Sequence, residues 1–252
     1  MRLLLPPSET KRDGGDGAPL DLSALGGHEL TPLRSELVDR LVTLAAEPAA
    51  MMRALNLGPR LAPEVDRNRR LWESPTMPAI DRYTGVLFDA LETGTLSEAS
   101  RSFAAETVTV HSALFGFVGG LDPVPAYRLS HDSRMPGVSL RRHWQNALAA
   151  QLVAHRGLIV DLRSEGYAEL GRAPVRDDSV FVRVVSIGAD GRRRALNHFN
   201  KQAKGRLTRV ILDSRPDLRS VGDLIDWAAQ EGLTLEVGDR PDSKPRELEL
   251  VV

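Results

Sequence analysis

Helical patterning dominates this chain from Thr31 to Phe103, and strands rather than linkers bracket it. Arg2–Leu5 is a short apolar strand ended by Pro6, and Thr107–Val110 reads as the next strand. Strands and helices then mix without repeats or low-complexity boundaries, which argues for one domain. The expected fold class is α/β (mixed α+β): a single compact domain over residues 1–252, with a mixed sheet and a helical excursion near residues 31–103. Thr31-Pro32 supplies an N-cap followed by proline, and Leu33, Leu37, Leu41 and Leu44 mark the core face of the first helix. Ala49–Leu55, Pro63–Trp72 and Ala79–Leu91 follow as helices. Asp13–Gly17 makes the Pro6–Leu20 loop flexible, a candidate mobile flap. Gly116–Gly120 reads as a glycine-rich turn, Leu140–His155 as a helix and Gly157–Leu162 as a strand. The charged tail from Gly238 to Val252 is expected to be loosely held.

The formal charge of the chain is only −1, yet Gly191–Arg209 holds seven Lys/Arg residues, one His and no acid. Such a patch suits an anionic partner, and a solvated basic turn accounts for it equally well. Val180–Ile187 alternates as a strand, Gly188–Gly191 supplies a turn, and Arg192–Phe199 returns as its partner. From about Lys201 the pattern becomes helical, with Ala203, Leu207, Val210 and Ile211 on one face. That places Lys201, Lys204 and Thr208 on the opposite face near a helix N-terminus, where phosphate is favoured.

Cysteine is absent, which excludes disulfides, thiolate metal sites and a thiol peroxidase mechanism. None of the six histidines has zinc-motif spacing, so no metal is expected, although a dispersed iron site stays open. His111 and Ser112 are adjacent on a strand and point apart, giving no triad geometry. Neither a P-loop, a dinucleotide fingerprint nor a nucleophile elbow occurs. No cofactor is expected. Leu3–Leu5 is too short for a signal core and Ala147–Val160 is broken by His155 and Arg156, so the expected compartment is cytoplasm, without membrane contact.

Six collinear motifs resemble those of the YaaA-type peroxide stress proteins, a bacterial family of cytosolic, DNA-associated proteins. They are LLLPPSETK at the N-terminus, RYTGVLFDAL, HSALFGFVGGLDPVPAYRL, RRHWQNAL, VDLRSEGYAEL and FNKQAKGRLTRVI. The loop Pro6-Pro7-Ser8-Glu9 with Lys11 is of the type expected in an actinobacterial branch. Gln202 stands where many relatives carry a second lysine, and Lys204 where arginine is usual.

The resemblance implies that four loop segments share one basic cleft: Ser8–Lys11, Tyr127-Arg128, Ser164–Tyr167 and Lys201–Arg209. Lys201, Lys204, Arg206, Arg209 and Arg128 would hold phosphate or nucleic acid, while Ser8, Glu9, Lys11, Tyr127, Ser164 and Tyr167 would line the cleft. Residues 49–72 have the outline of a helix-hairpin-helix, and an ordinary αα-hairpin explains them as well. The functional expectation is a peroxide stress protein that binds double-stranded DNA without sequence preference and without catalysis. An enzyme acting on a phosphate-bearing or nucleobase-like small molecule in the same cleft is the alternative. A third reading has the basic patch dock an acidic protein.

Overall fold

The computed structural model of the chain describes residues 1–188, 193–195, 199–238 and 244–252. The strands are β1 (Arg2–Leu5), β2 (Thr76–Pro78), β3 (Val108–Ser112), β4 (Gly116–Gly119), β5 (Pro123–Pro125), β6 (Ile159–Asp161), β7 (Ser179–Ile187), β8 (Arg193–Ala195), β9 (Thr234–Val237) and β10 (Arg246–Val251). The helices are α1 (Thr31–Ala45), α2 (Pro48–Ala54), α3 (Pro63–Arg69), α4 (Ala79–Arg82), α5 (Val86–Leu91), α6 (Glu98–Thr107), α7 (Leu140–Ala154), α8 (Glu165–Ala168), α9 (Phe199–Ser214) and α10 (Val221–Gln230).

The main sheet runs β4-β3-β1-β6-β7-β10-β9, with β8 paired to β7. β3, β1, β6, β7 and β10 are parallel, whereas β4, β8 and β9 are antiparallel to their neighbours. Leu3, Leu4 and Leu5 of β1 are all fully buried. An unbroken apolar run suits a central strand covered on both faces, where alternation would expose a side chain. The expected α/β class holds, and the helical excursion connects β1 to β3.

Several local expectations change. The single helix read over Ala79–Leu91 is two, because the chain breaks at Tyr83 and at Gly85, whose φ is 96°. The break lets residues 82–84 pair with the β1 loop: Arg12 N–H donates to Arg82 O and Thr84 N–H to Thr10 O. Gly116–Gly119 is strand β4 rather than a turn; its first glycine lies against Trp144, whose indole caps the Ala113 carbonyl at 2.9 Å. Burying such a side chain contributes roughly 1.5–3 kcal/mol.

The loop expected to act as a flap is pinned. The buried Arg82 donates to the carbonyls of Arg12, Gly14 and Pro75, and Gly17 N–H donates to Thr76 O. The tail expected to be loose supplies β10, seated between β7 and β9 with Leu248 and Leu250 buried. Its charges pair across the sheet, Glu247 with Arg183 at 3.0 Å and Glu249 with Arg193. The expected turn at Gly188–Gly191 lies, from residue 189 on, outside the described residues, as do residues 192, 196–198 and 239–243.

Candidate ligand site at the carboxyl edge of the sheet

The parallel strands end on one edge of the sheet. β1 hands over to Pro6–Lys11 and its connection runs toward β3; β6 hands over to Leu162–Tyr167 and its connection runs toward β7. Chains leaving neighbouring strands in opposite directions open a crevice, which is where α/β proteins place ligands. Lys11 sits there, 7% exposed. Its ammonium donates to Ser8 O at 2.8 Å and Glu9 O at 3.1 Å, and stands 4.1 Å from the centre of the Tyr127 ring. Both acceptors are backbone carbonyls rather than carboxylates. Burial, reinforced by the nearby Arg128 charge, pulls the Lys11 amine down to about 7.

Beneath Lys11 runs a hydroxyl relay. Ser112 Oγ accepts from the backbone N–H groups of Leu114 and Phe115, so its own proton goes to the Tyr127 hydroxyl, 2.7 Å away. Tyr127 in turn meets the Tyr83 hydroxyl at 2.9 Å. Burial holds the Tyr127 phenol well above its usual range and pushes Tyr83 up to about 12. Tyr167, raised by the same cause, packs edge-on against His131 and His111. The chain has three tyrosines and all of them are buried in this cluster.

Arg128 is held by its backbone, which exchanges two hydrogen bonds with the buried side chain of Asn68 at 2.7 and 2.8 Å. Its guanidinium pairs with the Glu9 carboxylate. Beside this pair opens a hollow of about 550 Å³ lined by Glu9, Arg53, Arg128, Ser130, Asp132 and Arg134. Ser8, Glu9, Lys11, Tyr127, Arg128 and Tyr167 lie together at this edge. Ser164 does something else: its hydroxyl caps the short helix α8.

The basic helix dissolves as a patch. Lys204 is 4% exposed; its amine reaches Arg163 O at 3.3 Å over the Phe181 ring, and burial lowers it to about 8. Thr208 is fully buried. The expectation of an exposed Lys201–Lys204–Thr208 face is corrected: α9 is buried on two sides, against β7 and against α5. A Cβ on Gly205 would lie 2.2 Å from Leu87 O, so the helices touch backbone to backbone there. Arg209 binds Asp213 at 2.6 Å and donates to Leu91 O, Glu92 O and Thr95 Oγ1, closing the C-terminal end of α5. Arg193 is neutralised by Glu236 and Glu249. Lys201 and Arg206 lie exposed on α9.

The 49–72 segment is an αα-hairpin. Its turn amides serve the first helix, with Asn56 N–H on Arg53 O and Leu57 N–H on Met52 O, so they are not turned toward a phosphate. Arg67 pairs with Glu64 and Asp13, and Arg69 with Asp66. A further buried pair lies behind the crest. Arg163 makes two bonds to Asp161, at 2.8 and 2.6 Å, and donates to His111 Nδ1 at 2.9 Å. Sequence reasoning missed Arg163, Asn68, Tyr83, Ser130 and the Arg53–Arg134 wall; only the strand-end positions of Asp161 and Arg163 carried a signal.

The fold is that of a one-domain α/β protein with a crevice where the strand order reverses. The chain belongs to the YaaA peroxide stress protein family: the family model described as Peroxide stress protein YaaA matches residues 1–237. It is 40% identical over 249 residues to the UPF0246 protein Cgl1995/cg2186 of Corynebacterium glutamicum, covering 97% of each chain. It is 35% identical to the UPF0246 protein SCO2297 of Streptomyces coelicolor over 250 residues, 96% of each. The uncharacterized protein Cj0984 of Campylobacter jejuni is 26% identical over 172 residues, 66% of this chain and 69% of the relative. Among the described residues no helix is long and apolar enough to cross a membrane.

Proposed function

We propose that this peroxide stress family member binds a small phosphate-bearing molecule at the carboxyl edge of its sheet. The observation that supports the reading is the hollow of about 550 Å³ beside the switch point, whose wall carries Arg53, Arg128, Arg134 and Ser130 together with the carboxylates Glu9 and Asp132. That volume lies within the range of small-molecule sites, and guanidinium groups suit phosphate. Duplex binding would need cations spread along an open groove. Of the basic helix, Lys204 is buried and Arg209 is occupied by α5, which favours the compact ligand.

DNA is the second reading, and one observation favours it: Arg53, Arg60 and Arg70 are all exposed along the αα-hairpin. One titration series separates the two. Inorganic phosphate should bind saturably and lose at least tenfold in affinity in the Arg53→Ala/Arg134→Ala variant, while duplex DNA binds weakly. Duplex binding whose logarithm falls by about 0.9 per contact with log salt, and which Arg60→Ala/Arg70→Ala weakens, would put the DNA reading in its place.

A further inference from the structure

We infer that Lys11 is a nucleophilic amine that forms an imine with the carbonyl of a phosphate-bearing aldehyde or ketone held at the crest. The inference rests on the phosphate site proposed above and assigns that ligand a second functional group. A buried lysine ordinarily ends on a carboxylate, because an unpaired buried ammonium is costly. Lys11 ends on the carbonyls of Ser8 and Glu9 and on the face of Tyr127. Among the charges around it Arg128 weighs most, Arg67 acts in the same sense and Glu64 and Glu9 oppose them, so with burial the amine is poised near 7 and a large fraction of it is neutral at neutral pH. A neutral amine at a strand-switch crevice is the state that attacks carbonyls.

The roof over the amine is linked to the hollow. Glu9 supplies one of the carbonyls on Lys11, and the same residue's carboxylate is the partner of Arg128. A phosphate that takes Arg128 releases the Glu9 side chain, freeing the segment that covers the amine. Lys11 Nζ then adds through its lone pair to the carbonyl carbon. The carbonyl oxygen leaves as water with the two amine protons, and a C=N bond stands in place of C=O. No oxidant, reductant or metal enters the balance.

The test uses pyridoxal 5′-phosphate with cyanoborohydride on the full chain, and peptide mapping of the reduced adduct. The chain has four lysines, Lys11, Lys201, Lys204 and Lys244, so the label is readily placed. The expected result is labelling of Lys11 at neutral pH at least tenfold faster than of Lys201. Its rate should be half-maximal near pH 7, and inorganic phosphate should slow it. Glu9→Gln should speed labelling by unphosphorylated pyridoxal, because the roof is released. Label confined to Lys201, Lys244 or the amino terminus, with inorganic phosphate still bound by the wild type, would overturn the inference and leave the phosphate site standing. Label on Lys11 that is equal with pyridoxal and blind to phosphate would keep the amine and remove the phosphate site.

Discussion

Gly205→Ala sets helix propensity against packing, and the two give opposite signs. Gly205 lies in the interior of α9, where alanine is better than glycine by about 1 kcal/mol. Propensity alone therefore expects a stabilised protein. The new Cβ, however, would lie 2.2 Å from Leu87 O and 2.9 Å from Ala90 Cβ, both on α5. Ordinary contact begins near 3.4 Å, so α9 and α5 must separate by about 1 Å along a backbone that cannot rotate away. Overpacking of this kind costs about 1–3 kcal/mol, occasionally more, which exceeds the propensity gain at its upper end. The expected net loss is up to about 2 kcal/mol, or a fall of up to roughly 8 °C in Tm for a domain of this size. Gly222→Ala in α10 is the control, because its Cβ would meet only Ser220 Oγ at 3.6 Å. Urea denaturation of both variants reads the difference. If Gly205→Ala gains as much stability as Gly222→Ala, the close approach of α9 to α5 is refuted, and with it the account of why Lys204 is buried.

Lys11 gives a pH-dependent expectation. Burial lowers its amine from 10.5 to about 7, so the unfolded chain binds the extra proton between those values and stability rises with pH across that window. Stability curves of the wild type and Lys11→Met should converge as pH rises from 7 to 10.5, and parallel curves would refute the burial of a strained ammonium. Asp161→Asn leaves the fully buried Arg163 without its counter-charge and should cost about 3–5 kcal/mol in chemical denaturation. Arg209→Ala should cost about 1–2 kcal/mol by unhooking the C-terminal end of α5, whereas Lys201→Ala should fall within about 0.5 kcal/mol of the parent.

The parallel strands were legible because an apolar run closed by proline, as at Leu3–Leu5, or a β-branched segment with alternation ended by glycine, as at Val180–Ile187, has few other uses. The crest was legible to the extent that strand ends carry polar residues: Ser8, Glu9, Lys11, Tyr127, Arg128 and Tyr167 do meet there. Lys204 was misread because apolar periodicity marks one face of a helix and says nothing of a second buried face made by glycine and lysine. Gly205 looks permissive in sequence and is a contact surface in the fold. Arg34, Arg82 and Arg163 are buried to satisfy carbonyls or a carboxylate that the fold brings from distant segments, such as Phe115 and Phe117 for Arg34. Local pattern has no term for such partners. The tail was misread for a related reason: Glu247 and Glu249 suggest solvent until Arg183 and Arg193 stand beside them.

The place of β10 has a consequence for synthesis. β9 emerges from the ribosome first, yet its neighbour in the sheet is β10, and β10 is also what separates it from β7. Until residues 246–251 arrive, β7 presents an unpaired edge and β9 has nowhere to dock. The half of the sheet around β1, by contrast, can zip as soon as β6 is made. A nascent chain therefore carries an exposed, Val-rich strand edge until β10 has emerged, a template for intermolecular pairing. Assembly of this half waits on β10, whose Arg246, Leu248 and Leu250 stand opposite Val180, Val182 and Val184.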